Sequence, residues 1–467
     1  MPQLYVDTPD CPKKCTFAFR CRNDLFRPPS LHKHETTNHW RSRIHRLQPS
    51  VDMRRITIHN FGPIKELTMP IRKYNILIGS SAMGKSTLAK VICNAEWVEK
   101  ELVVSRGKRP GGGQDDGTTY VANLTVYHHL ESYLQPDTRI AYEGDYVSFV
   151  FQNASPKPTF SYTLRDTLHN FQRLKTLYIP AERNVVAVIP NWFDIKLPQN
   201  NLRGYLSAWE EARKYYTSEN PLPLPLFDAN YYTSQDGSKD IISFCQDKAM
   251  ALGEVASGIQ TSVPLSLLLG YFGKPNQTKN LISISDQRNQ ADVKSFALSS
   301  EYGKKLMSLS KKEKLSANDK ETLMESMNQL TNLISIKGTS FFIEEPELNL
   351  FPKLQYELFE GIIKVINEVP SNALTITTHS PYILAFLSNY IYAHELQHKV
   401  GVEVSDIVPC ELMIPQDSVS AYLLKDGTAT NILSDDFSLG IEIKDLDAVS
   451  KEIGSTWDDL VQREVNR

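Results

Sequence analysis

The stretch from Gly79 to Ser86 constrains this chain most, because it reads Gly-x-x-x-x-Gly-Lys-Ser. Tyr74–Ile78 before it is short and apolar and predicts a buried strand, and Ser86–Ile92 after it has helical spacing. A glycine-rich turn between a strand and a helix directs backbone N–H groups and the helix dipole at an anion. A chance match in a turn is the alternative, but the flanking strand and helix favour a loop that binds a nucleoside triphosphate.

The residue types in this loop predict specific roles. Lys85 supplies a positive charge for the β- and γ-phosphates, and the Ser86 hydroxyl suits a Mg²⁺ ligand. The predicted nucleotide-binding residues of the loop are Gly79, Ser80, Ser81, Ala82, Met83, Gly84, Lys85, Ser86 and Thr87.

Composition sets only broad limits on the function. The chain has 467 residues, of which 41% are hydrophobic and 22% charged, as in an ordinary globular protein of two or three domains. A net charge of −3 gives no overall attraction to nucleic acid, although a local basic groove would not show in that sum. No run reaches the roughly 18–20 apolar residues that span a bilayer. Six cysteines do not make a disulfide framework, and a cytoplasmic location is expected.

The first 52 residues differ from the rest, since they are basic, rich in proline and without apolar periodicity. Cys11, Cys15 and Cys21, with histidines downstream, suggest zinc, but their spacing fits no standard zinc motif. The segment also lacks the continuous apolar region of a secretory signal. We expect residues 1–52 to be a disordered or over-extended N-terminus, with Met53 as the natural start of the packed domain.

A second candidate site lies far along the chain, where an apolar strand runs through Ser340–Glu345 and ends in two adjacent carboxylates. At the tip of a strand, Glu344 and Glu345 can both turn toward a phosphate site. One acid can hold Mg²⁺, usually through water, and the next can deprotonate an attacking water. A solvated surface turn is the alternative.

Two shorter segments accompany these carboxylates. Ala373–Thr378 predicts a strand that ends before His379, which could sense a γ-phosphate or could be an ordinary surface histidine. The pair Ser257-Gly258 precedes an apolar helix predicted from near Ser262. Such a pair at a helix N-terminus can bind an anion or can simply cap the helix.

These four segments stand in the order found in ABC-type ATPases. The chain resembles the RecF/SMC branch of these AAA family proteins, which includes OLD proteins and many anti-phage defence and DNA-repair ATPases. Ile56–Ile64 and Tyr178–Arg183 also resemble segments of that branch. The resemblance covers the motifs and core strands between residues 53 and about 385. It implies an α/β fold, namely a P-loop NTPase with an ABC-type ATPase core and helical insertions.

The resemblance also implies roles for the site residues, with ATP and Mg²⁺ as cofactors. Glu344 would lie near Mg²⁺, Glu345 would be the catalytic base, and His379 the switch histidine. Ser257 and Gly258 would contact the γ-phosphate held by another subunit. This arrangement implies at least a head-to-tail homodimer, or a higher homo-oligomer, with ATP at the interface.

Two departures from the family pattern stand out. Phe351 occupies a position where relatives often carry histidine, and the interior of the phosphate loop is unusual. The glutamine that other ABC-type ATPases use to sense Mg²⁺ is not evident. Gln152 and Arg183 are the candidates for that role.

The pattern divides the chain into several regions. An ATPase lobe covers 53–183, a largely helical insertion 184–250, a second lobe 251–385 with a polar insertion at about 275–335, and a C-terminal region 386–467. Within them, Tyr120–Val126 and Tyr146–Phe151 are predicted strands, and Pro221–Pro225 a loop or stiff connector.

Three classes of function compete. The first is an ATPase whose dimer closure acts on DNA or on a defence or repair partner, and the second is an ATP-dependent scaffold or sensor with little turnover. The third, a transporter nucleotide-binding subunit, is disfavoured because Ala256–Gln260 replaces the usual Leu-Ser-Gly-Gly-Gln and the insertions are long. No membrane partner is expected.

The Asp445-Leu446-Asp447 segment suggests metal binding, but an acidic helix over 446–461 is favoured because the tail is too short for a Toprim nuclease domain.

Overall fold

The computed structural model describes residues 54–105, 118–154, 157–165, 171–189, 192, 195–244, 248–274, 298, 300–312, 316–436 and 440–441. These residues all fall within one compact unit, Pro49–Arg467. The predictions for the N-terminal 52 residues, including zinc, and for the acidic helix at 446–461 lie outside the described residues.

The strands are β1 (Arg55–Phe61), β2 (Ile64–Pro70), β3 (Tyr74–Ile78), β4 (Leu134–Glu143), β5 (Val147–Gln152), β6 (Thr159–Leu164), β7 (Arg173–Ile179), β8 (Leu222–Leu224), β9 (Ala229–Thr233), β10 (Asp240–Phe244), β11 (Lys248–Ala251), β12 (Ile336–Glu344), β13 (Ala373–Thr378), β14 (Val419–Lys425) and β15 (Thr428–Asn431). The helices are α1 (Lys85–Ser105), α2 (Thr118–His128), α3 (Val185–Val188), α4 (Asn201–Arg213), α5 (Ser257–Phe272), α6 (Glu301–Leu309), α7 (Ala317–Ile334), α8 (Pro352–Glu368) and α9 (Pro381–Glu395).

A six-stranded sheet forms the centre of the fold, in the order β15-β14-β3-β13-β12-β7. Strands β14, β3, β13, β12 and β7 run parallel to their neighbours, and only β15 is antiparallel. Every residue of β3 and β13 is buried, as expected for strands covered on both faces. The strands predicted at Tyr74–Ile78 and Ala373–Thr378 are confirmed.

The two faces of this sheet belong to different cores. Tyr74, Ile76 and Ile78 of β3 pack in a core that includes residues of α4, α5, α8 and α9. Leu77 points to the opposite face and packs with α1 and an antiparallel sheet, β2-β1-β4-β5-β6. This layering follows from the alternation of side chains along a strand. The predicted α/β fold class is confirmed.

The strand predicted at Tyr120–Val126 is wrong, because this segment lies in α2. Tyr120 and Leu124, one helical turn apart, are both buried against the antiparallel sheet. The Tyr120 ring contacts the rings of Phe149, Phe151 and Phe160. The strand predicted at Tyr146–Phe151 is confirmed as β5.

The largely helical insertion predicted at 184–250 is wrong for its second half. After α3 and α4, the chain forms a four-stranded antiparallel sheet, β11-β10-β9-β8. The predicted connector at Pro221–Pro225 contains β8, in which Leu222 and Leu224 are buried and Pro223 is exposed. Proline is tolerated there because β8 is an edge strand. In the polar insertion, the described part of 275–335 forms α6 and α7.

The C-terminal region contributes to the central sheet rather than standing apart from it. Strand β14 pairs in parallel with β3, so that Ala421 lies beside Ile76. Both residues are fully buried. The expectation that the ATPase core ends near residue 385 is therefore wrong, since the sheet that carries the phosphate loop includes residues up to 431.

Candidate nucleotide-binding site

Three neighbouring parallel strands bring the sequence motifs to one edge of the sheet. Strand β13 lies between β3 and β12. The carboxyl end of β3 leads into the Gly79–Ser86 loop, that of β13 into His379, and that of β12 into Glu345. The crevice at the carboxyl ends of parallel strands is the usual ligand site of open α/β sheets.

The phosphate loop turns tightly between β3 and α1. Gly84 has φ of +95°, and a Cβ there would lie 3.1 Å from the Pro63 side chain. The Lys85 amine donates hydrogen bonds to the carbonyl oxygens of Gly79 and Ser80, both at 2.8 Å. Burial lowers the pKa of Lys85, while the negative charges of Glu345 and Glu347 oppose this shift.

The other predicted loop residues differ in exposure. Ser80, Ser81 and Ala82 are exposed, Met83 and Ser86 are half-buried, and Gly79 and Thr87 are buried. Ala82 has φ of +64°, in the left-handed region that disfavours residues with a Cβ. The exposed tip of the loop therefore carries backbone strain.

The first carboxylate of the pair, Glu344, is nearly buried. Its Oε1 accepts a hydrogen bond from the Tyr178 hydroxyl at 2.5 Å, and its Oε2 accepts one from the Ala181 N–H at 3.1 Å. These contacts fix the orientation of the carboxylate. A carboxylate offers about four lone-pair positions, so Glu344 retains acceptor capacity.

The donor set fits Mg²⁺ rather than a transition metal. The Ser86 hydroxyl and the Glu344 carboxylate are hard oxygen ligands, and neither is a soft donor. Among the described residues, no three His, Cys, Asp or Glu side chains cluster in a way that could hold a metal ion. Magnesium at nucleotide sites is held mainly by substrate phosphates and water with one or two protein oxygens, so these two side chains are sufficient candidate ligands.

The second carboxylate, Glu345, lies beside the predicted histidine. Glu345 Oε1 is 3.4 Å from His379 Nε2, and each side chain is about one-third exposed. The backbone N–H of Glu345 bonds to the Thr377 carbonyl at 2.9 Å, which ties the end of β12 to β13. Glu345 has φ of +42°. The structure thus joins two residues that are 34 positions apart in sequence.

Glu347 completes this arrangement, although the sequence interpretation assigned it no role. Its Oε1 accepts hydrogen bonds from the Thr378 hydroxyl at 2.8 Å and from the His379 N–H at 2.7 Å. The loop after β12 therefore holds the backbone of His379. The sequence shows Glu347 as the third acid of Glu-Glu-Pro-Glu, which could have marked it as a site residue. It cannot show that this side chain contacts the end of β13.

Neither candidate for the Mg²⁺-sensing role is supported. Gln152 is exposed at the end of β5, in the antiparallel sheet. Arg183 is fully buried, and its guanidinium donates to backbone carbonyls, including those of Glu344 and Glu345. Arg183 thus holds the loop after β12.

Helix α5 begins at Ser257, five residues earlier than the predicted start near Ser262. A Cβ on Gly258 would lie 2.9 Å from the Asn349 carbonyl, so this close approach requires glycine. The start of α5 therefore packs on the loop that follows Glu345. Ser257 is exposed, and in the described part of the chain no hydrogen bond joins it to the phosphate loop.

A family model described as an AAA ATPase domain matches residues 335–384. The matched segment includes β12, β13 and the residues Glu344, Glu345 and His379. Over this segment the chain is similar to an AAA ATPase domain, which agrees with the predicted family.

No curated protein matches the chain. Several solved structures are similar in fold, including the SMC head domain from Thermotoga maritima (8% identity, TM-score 0.35, covering 82% of this chain and 98% of that one). The recombination mediator protein RecF of the RecFOR pathway is similar at 8% identity and TM-score 0.27, covering 81% and 97%. A dimeric ATP-binding cassette bound to ADP and phosphate is similar at 10% identity and TM-score 0.24, covering 80% and 96%.

None of the described helices has both the length and the apolar character that a membrane crossing requires.

Proposed function

We propose that this protein binds ATP with Mg²⁺, hydrolyses it, and pairs with a second copy of itself when ATP is bound. The observation that carries the proposal is the convergence of Lys85, Glu345 and His379 at the tips of three adjacent parallel strands. A cation for the phosphates, a candidate base and a histidine beside that base are the parts that ATP hydrolysis needs.

Each group has a role in this reaction. Lys85 exchanges its bonds to the loop carbonyls for the β- and γ-phosphates of ATP. Ser86 and Glu344 would hold Mg²⁺, which neutralises charge on the phosphates when it is bound. Glu345 orients the attacking water and accepts its proton, while His379 contacts both Glu345 and the γ-phosphate.

One exposed feature supports pairing with a second copy. Ser257 at the start of α5 is exposed, and a free helix N-terminus favours a negative charge such as a γ-phosphate. The resemblance implies a head-to-tail homodimer, in which Ser257 and Gly258 reach the ATP of the other copy.

The resemblance also suggests what such a dimer acts on. We propose that nucleotide-driven closure acts in the cytoplasm on DNA or on an effector protein, in defence or in repair. Transport is not proposed.

The direct test compares wild type with Glu345→Gln. We expect Glu345→Gln to bind ATP with unchanged affinity and to hydrolyse it at least about 100-fold more slowly, because the base is removed. Phosphate release measures turnover, and a fluorescent ATP analogue measures binding. Glu357→Gln is the matched control, because the Glu357 side chain on α8 is 36% exposed and lies near Lys353, and this variant should hydrolyse ATP at the wild-type rate.

The outcomes separate the competing functions. Wild-type turnover by Glu345→Gln would overturn the assignment of the base. A wild-type protein that binds ATP but does not hydrolyse it would favour the scaffold or sensor. Lys85→Ala should lose binding, and retention of tight binding would contradict the assigned phosphate loop.

A further inference from the structure

The end of β12 has an unusual backbone, and this backbone carries the candidate base. Glu345 has φ of +42°, a left-handed conformation that is unfavourable for a residue with a Cβ. The structure also turns the carbonyl groups of Glu344, Glu345 and Pro346 toward a single point. Converging carbonyl dipoles repel one another, so this turn requires a donor at that point.

The donor is the guanidinium of Arg183, which is 0% exposed. Its Nη1 donates to the Glu344 carbonyl at 2.8 Å, and its Nη2 donates to the carbonyls of Glu345 at 2.8 Å and Pro346 at 3.3 Å. A planar guanidinium presents several donors in a fixed fork, which a lysine amine cannot reproduce. The cation also offsets the crowded negative charges of the Glu344–Glu347 segment.

Two further hydrogen bonds anchor Arg183, one through its guanidinium and one through its backbone. Its Nε donates to the carbonyl of Thr261 on α5 at 2.9 Å, and the Tyr205 hydroxyl of α4 donates to the Arg183 carbonyl at 2.6 Å. Thr261 in turn donates from its hydroxyl to the Leu348 carbonyl at 3.1 Å. Rigid helices therefore fix Arg183, and Arg183 fixes the turn.

We propose that Arg183 is the positioning residue of the ATPase site, which holds Glu345 in its left-handed backbone conformation and so aims its carboxylate at the attacking water. This inference rests on the proposed function, because it requires Glu345 to be the base. Among the described residues, the Arg183 guanidinium donates hydrogen bonds only to backbone carbonyls, so it acts on the reaction through Glu345. A displacement of the base by about 1 Å is enough to reduce turnover roughly 100-fold.

The test is Arg183→Lys, which keeps the charge but loses the fork. We expect kcat to fall roughly 10- to 100-fold while KM and the affinity for a fluorescent ATP analogue stay within about twofold, because the phosphate loop is untouched. In the Glu345→Gln background, Arg183→Lys should cause no further loss, since the group that it positions is already absent.

The matched control is Arg213→Lys. Arg213 is also buried, but it bonds to Asp240 and to the Gly237 carbonyl beside the small antiparallel sheet. We expect both Arg213→Lys and Arg183→Lys to lower the midpoint of unfolding, because each removes buried hydrogen bonds. Only Arg183→Lys should also lower kcat. If Arg183→Lys does not fold, Tyr205→Phe takes its place. It removes one anchor of Arg183 and should lower kcat about threefold at constant KM.

The proposal is overturned if folded Arg183→Lys, or Tyr205→Phe in its place, has the kcat of wild type. It is also overturned if the loss from Arg183→Lys is equally large with and without the Glu345 carboxylate. If Glu345→Gln itself turns over at the wild-type rate, or wild type shows no turnover, the proposed function fails and the positioning role fails with it. If Glu345→Gln has a low kcat while Arg183→Lys has the kcat of wild type, only the positioning role of Arg183 is contradicted.

Discussion

At the scale of single residues, the loops around the candidate site carry backbone strain. Ala82, Glu345 and Asn349 have φ of +64°, +42° and +62°. Residues with a Cβ adopt such angles only when their surroundings impose them, and they cluster at functional sites. Glu345 is held by Arg183, and the Asn349 carbonyl packs on Gly258. Ala82 is exposed, so its strain is open to a direct test.

Ala82→Gly should stabilise the protein by roughly 0.5–1 kcal/mol, because glycine adopts a positive φ without a steric cost. Ala122→Gly, an exposed position in the interior of α2, is the matched control. There the same substitution should destabilise by about 1 kcal/mol. Midpoints of urea unfolding measure both changes, and two changes of the same sign would contradict the strain assigned to Ala82.

At the scale of elements, one buried carboxylate joins α1 to the antiparallel sheet. Glu99 of α1 accepts hydrogen bonds from the Tyr142 hydroxyl at 2.8 Å and from the N–H groups of Tyr146 and Val147 at 2.7 and 3.1 Å. Burial raises the pKa of Glu99 to about 7, although Arg54 partly offsets this shift. Folding therefore favours the protonated carboxyl.

This pKa predicts a pH dependence with a defined sign. Since the folded pKa lies above the unfolded value, the folded state binds more protons between pH 4.5 and 7. The contribution of Glu99 to stability is complete below that window and is lost as pH rises through about 7. The free energy of unfolding of wild type minus that of Glu99→Gln should fall by roughly 2–3 kcal/mol between pH 5 and 8. A difference that is constant with pH would contradict the assignment.

The local sequence pattern was sufficient to predict strands that are buried on one face or on both faces. In β1, Ile56 and Ile58 are buried and alternate with less buried neighbours, and the apolar run at β3 marked a buried strand. The pattern failed at α2, because its tyrosines and valines favour strands and only packing against the antiparallel sheet selects the helix. It also failed at β8, where the prolines hid an edge strand.

At the scale of the whole molecule, the sheet that carries the site is completed from the end of the described chain. Strand β14 borders β3, and more than 340 residues separate the paired residues Val419 and Tyr74. Such a pairing has no local signature. For the same reason, the sequence predicted Lys85, Glu345 and His379 as site residues but could not show that Arg183 and Glu347 hold the loops that carry them.

Ala421→Asp tests this role of β14. Ala421 is 0% exposed beside Ile76, so a carboxylate there should cost several kcal/mol and abolish a cooperative unfolding transition. Thr430→Asp places the same charge at an exposed position of β15 and should change stability by less than about 0.5 kcal/mol. Thermal unfolding measures both. Equal stability of the two variants would show that β14 is dispensable for the core.

The central claim is that ATP, and not ADP, joins two copies through the start of α5. Light scattering of Glu345→Gln with each nucleotide tests it most directly, because loss of the base should trap ATP in the closed pair. The measured mass should double with ATP and stay at one chain with ADP. Adding Ser257→Arg should keep the mass at that of one chain with ATP still bound. The control, Ser308→Arg at an exposed position of α6, should leave the doubling with ATP unchanged. Equal masses with ATP and ADP, or doubling of the Ser257→Arg variant, would contradict the account.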